Sequence, residues 1–282
     1  MLTSESDKAS LEAFLTSEPA VNVYAIGDLD PSCWGACAWH GLRADDGQGA
    51  LEALALTYSG LSVPCLQVLA DPTKPEQLAS AGRLLGLLAA APERLPAGSW
   101  DAHLSSGLEE ILRSAGYAVA ATPHLRMALG GDELARLQAA EQAAPAATAV
   151  QLLAPADADA CMALCGTLER SWFEPQCLDS GVYTGVYDAE KRTLLAMAGT
   201  HVAADEYGVA ALGNIATRAE ARRQGHGKAV TRALCLALAE RGLRTIGLNV
   251  KADNVGAIAM YASLGFKPVM EFVECDVHRE QL

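Results

Sequence analysis

The sequence predicts a mixed α/β protein built in two halves. Three observations carry that expectation. Segments with apolar residues at every second position, such as Ile246, Leu248 and Val250, alternate with segments whose apolar residues recur every three or four, such as Val230, Ala233, Leu234, Ala237 and Leu238. A pattern near the middle, L-R-S-A-G-Y at 112–117, returns near the end as M-Y-A-S-L-G-F at 260–266. Between the two lies A-A-P-A-A-T at 143–148, which has the composition of a linker.

The first half, 1–142, reads as follows. Leu11 to Phe14 suggests a helix ending before Pro19, and V-N-V-Y-A-I-G-D at 21–28 is an apolar segment broken by Gly27 and Asp28. Cys37–His40 and Ala53–Tyr58 read as short strands around the turn Asp45-Asp46-Gly47-Gln48-Gly49. Leu61–Leu69 is a further strand candidate, and Pro75–Ala90 an apolar helix between prolines. Leu108, Ile111 and Leu112 form a short helical face before Gly116-Tyr117 and a strand pair containing Leu125–Leu129. Gly130-Gly131 ends this part, and Asp132–Gln142 is a polar helix.

The second half, 149–282, opens with the strand Val150–Leu153, and Pro155 leads into a helix reaching Leu168. R-S-W-F-E-P-Q-C-L-D-S-G at 170–181 is irregular and carries two aromatic rings. Val182–Tyr187 and Thr193–Val202 form a hairpin through 188–192, and Glu206–Thr217 is the next strand. A turn follows, then a helix to Arg241-Gly242, the strand Thr245–Val250, and a helix from Val255 to Leu264 closed by Gly265-Phe266.

Composition limits the function classes. The chain has 282 residues, 51% hydrophobic and 20% charged, without a long apolar run, so no membrane span is expected. The start, M-L-T-S-E-S-D-K-A-S, lacks the layout of a signal peptide, which points to a cytoplasmic protein. Its eight cysteines then read as reduced thiols. Cys33-x-x-x-Cys37 and Cys161-x-x-x-Cys165 each lack a second close pair, so no metal is expected. A net charge of −13 disfavours nucleic acid and suits a cationic or amine partner. A homodimer is compatible with this composition.

The chemistry concentrates at N-I-A-T-R-A-E-A-R-R-Q-G-H-G, Asn214 to Gly227. A strand feeding a glycine turn at a helix N-terminus makes an anion site, because the first-turn N–H groups lack intrahelical partners and the dipole adds partial positive charge. Gly225 and Gly227 let a diphosphate approach the main chain, and Arg222, Arg223 and Lys228 surround that point in an acidic protein.

The order strand, R-x-x-G-x-G, helix, strand, N-x-x-A-x-x-x-Y-x-x-x-G-F resembles the GNAT superfamily of acyl-CoA-dependent N-acyltransferases, over roughly residues 148–276. The resemblance implies two GNAT-like domains, each a mixed, mostly antiparallel sheet flanked by helices. The domain at 149–282 would be catalytic and that at 1–142 a degenerate copy without R-x-x-G-x-G; an unrelated α/β scaffold is the other reading of the first half. Acetyl-CoA would be the cosubstrate. The main chain of Ile215, Ala216 and Thr217 would meet its pantetheine arm, and the N–H groups of Gln224, Gly225, His226, Gly227 and Lys228 its pyrophosphate, flanked by Arg222 and Arg223. Ala219 and Ala221 stand where the family carries a proline and a tyrosine. Asn254 would cap a helix or face the cofactor arm.

Tyr261 is the expected general acid, protonating the departing thiolate, with core packing as the alternative. Many relatives place a glutamate on the pantetheine strand, but Val209–Thr217 has no carboxylate. Glu206, at the start of that strand, is the candidate base, with His201 across the turn as another and a water chain as a third. Trp172-Phe173-Glu174-Pro175 lies where relatives carry a substrate-covering segment. Three functions follow: N-acetyl transfer to a small-molecule or protein amine in a ternary complex, acyl-CoA sensing without turnover, and an acyl-enzyme on Cys275.

Overall fold

The computed structural model describes residues 1–44, 49–143, 149–168, 171, 173–190 and 192–279. In chain order its principal elements are β1 (Leu2–Glu5), α1 (Lys8–Leu15), α2 (Val23–Gly27), α3 (Pro31–Trp34), β2 (Cys37–Arg43), β3 (Leu51–Tyr58), β4 (Cys65–Val68), α4 (Pro75–Ala89), β5 (Ser99–Ser105), α5 (Glu109–Ser114), β6 (Tyr117–Gly130) and α6 (Gly131–Ala143). They continue with β7 (Gln151–Leu152), α7 (Ala158–Cys165), α8 (Cys177–Ser180), β8 (Tyr183–Tyr187), β9 (Leu194–Ala204), β10 (Val209–Thr217), α9 (His226–Glu240), β11 (Thr245–Lys251), α10 (Val255–Ala262) and β12 (Lys267–Arg279). The result is the mixed α/β architecture expected, with mostly antiparallel pairing.

Contacts divide the chain into two compact units: Met1–Arg126 with Val250–Asn254 and Pro268–Leu282, and Met127–Asn249 with Val255–Lys267. The division differs from a cut at 143–148: residues 127–143 belong to the second unit, while 250–254 and most of the last strand belong to the first. Of the expected linker, 144–148 lie outside the described residues.

In the first unit the strands run β1-β2-β3-β4-β5-β12. Pro75 opens α4 with a φ already fixed for helix, and Ala81, Leu84, Leu85 and Leu88 make its buried stripe. That stripe joins a core containing Ala55, Leu66, Trp100, Leu104, Val273, Cys275 and Val277. β5 alternates, with Trp100, Ala102 and Leu104 inward, and pairs antiparallel with β12 from Ser105↔Phe272 to Ser99↔His278. A charge is buried here. Arg126, fully buried, donates to the Val21 carbonyl and lies 4.8 Å from the Tyr24 ring centroid and 5.3 Å from that of Phe272.

In the second unit the strands run β11-β10-β9-β8-β7. Tyr183 and Thr184 project to opposite faces of β8. On one face Thr184 Oγ donates to the Val230 carbonyl of α9 at 2.9 Å. On the other, Tyr183 packs with Phe173, Leu178, Cys161, Leu164 and Cys165 of the α7–α8 region. Helices thus cover both faces.

In each unit a parallel pair is joined through a 15-residue helix: β4 and β5 through α4, β10 and β11 through α9. Several local expectations change. The apolar segment 21–28 contains the short helix α2, Leu61–Leu69 shortens to Cys65–Val68, and Leu125–Leu129 lies within one 14-residue strand rather than a pair.

Candidate active site

The site is built where β10 leaves its parallel neighbour. The β10–β11 register runs from Val209↔Thr245 to Leu212↔Leu248 and stops there, although β10 continues for five more residues. Beyond Leu212 the β11-facing edge of β10 can offer main-chain donors and acceptors to an extended ligand. Ile215, Ala216 and Thr217 lie on that stretch; Ala216 is buried and the other two are half-buried.

β10 leads through a single helical turn, 219–221, into the turn that opens α9. Arg223 has φ 61° and Gly225 φ 85°, so left-handed residues flank Gln224. Left-handed residues on both sides of Gln224 bend the main chain sharply where α9 begins. The φ of Gly225 favours glycine. The first bond of α9 runs from the Ala229 N–H to the Gly225 carbonyl, 2.9 Å, so the N–H groups from His226 to Lys228 precede the ladder. A Cβ on Gly227 would stand 3.1 Å from the Thr217 hydroxyl oxygen, which ties the helix start closely to the end of β10. Arg222, Arg223, Gln224, Gly225 and Lys228 are exposed, and His226 is half-buried. Donors, positive charge and access suit a diphosphate.

The corresponding region of the first unit is arranged differently. The Ala70 N–H beyond β4 is taken by the Ser105 hydroxyl at 2.9 Å, within the same parallel pair. The start of α4 has Pro75 in place of a glycine turn, and Lys74 there pairs with Glu18 and with Asp71.

Opposite β9, β10 is irregular twice. Ala211 faces Val202 and Leu212 faces Thr200, so His201 is an extra residue on β9. Gly213 faces Gly199 but Ala216 faces Met197, so β10 carries one extra residue at 214–215. Asn214 takes φ 51° to accommodate it, as asparagine does more readily than most residues. Both glycines carry a ring. A Cβ on Gly213 would lie 1.9 Å from His201 Nε2, and one on Gly199 would lie 1.9 Å from Tyr183 Cε1. Gly199 and Gly213 are cross-strand partners, so the two rings share a face. Asn214 Nδ2 donates to the Tyr183 hydroxyl at 3.0 Å, and that hydroxyl donates to the Thr200 carbonyl at 3.3 Å. Burial pushes the Tyr183 phenol up, so it stays protonated.

Tyr261, on α10, is buried, its ring edge-on to Phe266 at 5.9 Å. Burial pushes its phenol up as well, leaving a proton donor rather than a phenolate at neutral pH. Asn254 is exposed and its N–H closes a turn on the Lys251 carbonyl at 3.0 Å. Glu206 is exposed in the 205–207 turn before β10, at the end where β10 and β11 are paired. The strand runs four residues, roughly 13 Å, from its start at Val209 beside that turn to Gly213.

Of the expected covering segment, Trp172 lies outside the described residues, while Phe173 is buried against Tyr183. Cys275 sits in the core of the first unit, its thiol pushed up to about 12 by burial, which removes the thiolate an acyl-enzyme would need. Among the described residues, no helix is long and apolar enough to cross a membrane. Sequence reasoning missed Tyr183 and Gly213, and it placed Asn214 at the head of the motif without its bond to Tyr183. Their available signal was two glycines, Gly199 and Gly213, inside strand patterns, where glycine marks a bulge or a close approach.

The acetyltransferase (GNAT) family model matches residues 151–266. The chain is 45% identical over 73 residues to the [ribosomal protein bS18]-alanine N-acetyltransferase of Escherichia coli strain K12, a stretch that is 26% of this chain and 47% of that one. It thus spans about half the length of the curated relatives it matches. A tandem GNAT protein from the clavulanic acid biosynthesis pathway superposes with a TM-score of 0.56 at 15% identity, covering 100% of this chain and 99% of that one. A Drosophila protein superposes with a TM-score of 0.69 at 11% identity over 99% of both chains. Identities this low speak for the fold alone.

Proposed function

We propose that this protein, whose residues 151–266 match the acetyltransferase (GNAT) family model, moves an acetyl group from acetyl-CoA to a primary amine, by direct attack in a ternary complex. The parting of β10 from β11 beyond Leu212, leading into the left-handed turn before α9, carries this reading. Pantetheine lies along the edge of β10 at Ile215, Ala216 and Thr217. The pyrophosphate meets the N–H groups from Gln224 to Lys228, with Arg222, Arg223 and Lys228 supplying charge. Asn254 faces the cofactor arm.

The amine nitrogen attacks the thioester carbon, the C–S bond breaks, and the Tyr261 phenol protonates the leaving sulfur. Glu206 was the base expected from sequence; its place at the paired end of β10 leaves it a role through water only. The relatives named for alanine N-acetylation of a ribosomal protein make a peptide N-terminus a first acceptor to test, beside small amines. The site belongs to the 149–282 half in a cytoplasmic protein, and the first half has no acyl-CoA site of its own.

Calorimetry with acetyl-CoA and thiol release against a panel of amines test the reading. The panel contains a polyamine, lysine methyl ester and an alanyl peptide. Binding with amine-dependent release supports it, and no binding at millimolar acetyl-CoA overturns it. The missing carboxylate on β10 favours a second reading, an acyl-CoA sensor. A sensor would bind acetyl-CoA and release no thiol.

A further inference from the structure

We propose that His201 is the general base that takes the proton from the attacking amine, an assignment that rests on the transferase reading. His201 is the extra residue of the β9 bulge, and its ring lies on Gly213. Gly213 is the first residue of β10 past the last β10–β11 pair, Leu212↔Leu248. The imidazole therefore stands at the mouth of the opening, where the thioester end of an extended pantetheine along 215–217 would arrive.

Several features hold it there. Gly213 leaves the ring its space, since a Cβ would overlap Nε2 at 1.9 Å. The second bulge, with Asn214 at φ 51°, is tied through the Asn214–Tyr183–Thr200 hydrogen bonds. Two opposed bulges and a left-handed asparagine within four residues are local departures of the kind that re-aim a side chain at a functional site.

The composition of the face points the same way. β8, β9 and β10 read Y-T-G-V-Y, L-L-A-M-A-G-T-H-V-A-A and V-A-A-L-G-N-I-A-T, and none has a carboxylate. Besides the tyrosine hydroxyls of β8, His201 is the only titratable side chain on these three strands. Tyr183 stays protonated and cannot serve as a base near neutral pH. Histidine suits proton transfer near neutrality, and an exposed ring can pass its proton to water.

The step balances. Nitrogen attack forms the C–N bond and leaves an extra proton on nitrogen, which moves to the imidazole. Collapse breaks the C–S bond, and the thiolate takes the Tyr261 proton. The imidazolium proton returns to the tyrosine through water, leaving amide and free thiol.

The test uses the full chain and the variants His201→Ala and His201→Gln. Thiol release is followed with the best acceptor of the panel, or with water as nucleophile if no amine is turned over. Turnover is expected to fall about 10²-fold or more in both variants, with acetyl-CoA affinity by calorimetry unchanged. Added imidazole should restore part of the rate in the alanine variant, which a merely structural histidine would not allow. Unchanged turnover, or a loss that imidazole does not relieve while acetyl-CoA still binds, overturns the assignment and leaves the transferase reading standing. A wild-type protein that releases no thiol with any nucleophile removes both.

Discussion

The proposed acid role asks Tyr261 to pack and to donate a proton at once. Its ring is buried against Phe266, and that burial keeps the phenol proton in place. Removing only the oxygen separates the roles. Tyr261→Phe should lower turnover roughly 10²-fold with little change in acetyl-CoA affinity or melting temperature; steady-state rates that stay at wild type would reduce it to packing. A different residue governs pH. Asp28, directly after α2, is buried, and burial raises its carboxyl from 3.8 to about 7. Below the lower value it is protonated in folded and unfolded chains alike. As pH climbs toward the upper value only the unfolded chain ionises, so stability falls, by at most on the order of 4 kcal/mol. Above it the full cost is in place. Asp28→Asn should therefore melt several degrees above wild type at pH 8 and about level with it at pH 3. Equal melting at both values would show that the carboxylate is solvated.

At the scale of the element, the turn before α9 was legible because its chemistry is main-chain chemistry. A φ of 85° at Gly225 is taken most readily by glycine, so that position shows in the sequence as glycine, whereas Arg223 at φ 61° in the same turn does not. The bulged β9–β10 pair was not legible in that way. Which residue is extra depends on register, and only pairing reveals that His201 covers Gly213. β5 was missed although Trp100, Ala102 and Leu104 alternate, because Asp101 and His103 make Ser99–Ser105 look like a loop. The bulged element also yields a stability prediction. Gly199 lies beneath the Tyr183 ring, which is itself packed by Phe173 and cannot move aside freely. Gly199→Ala should cost about 1–3 kcal/mol through overpacking, read as a lower melting temperature. A melt indistinguishable from wild type would mean that the ring has room to shift.

For the whole molecule, the repeat was readable but the sheet that its last strand joins was not. L-R-S-A-G-Y and M-Y-A-S-L-G-F precede long strands, β6 and β12, and sequence order alone assigns β12 to the second half. Contacts assign Pro268 onward to the first unit, where β12 pairs with β5 and buries Val273, Cys275 and Val277 on one face and Phe272 on the other. The alternation of β12 says which residues are buried; nothing in it says against which neighbour. Four such side chains are worth roughly 5–10 kcal/mol, comparable with the 5–15 kcal/mol that holds a typical domain together. A fragment cut at the linker would lack this strand, so it cannot report on what the first half binds. A chain ended at Lys267 should accordingly leave β5 without its antiparallel partner. Amides of Ser99–Ser105 and Cys65–Val68 should then lose their protection from hydrogen exchange. Full protection of β5 in the shortened chain would show that β12 is dispensable to the first unit's core.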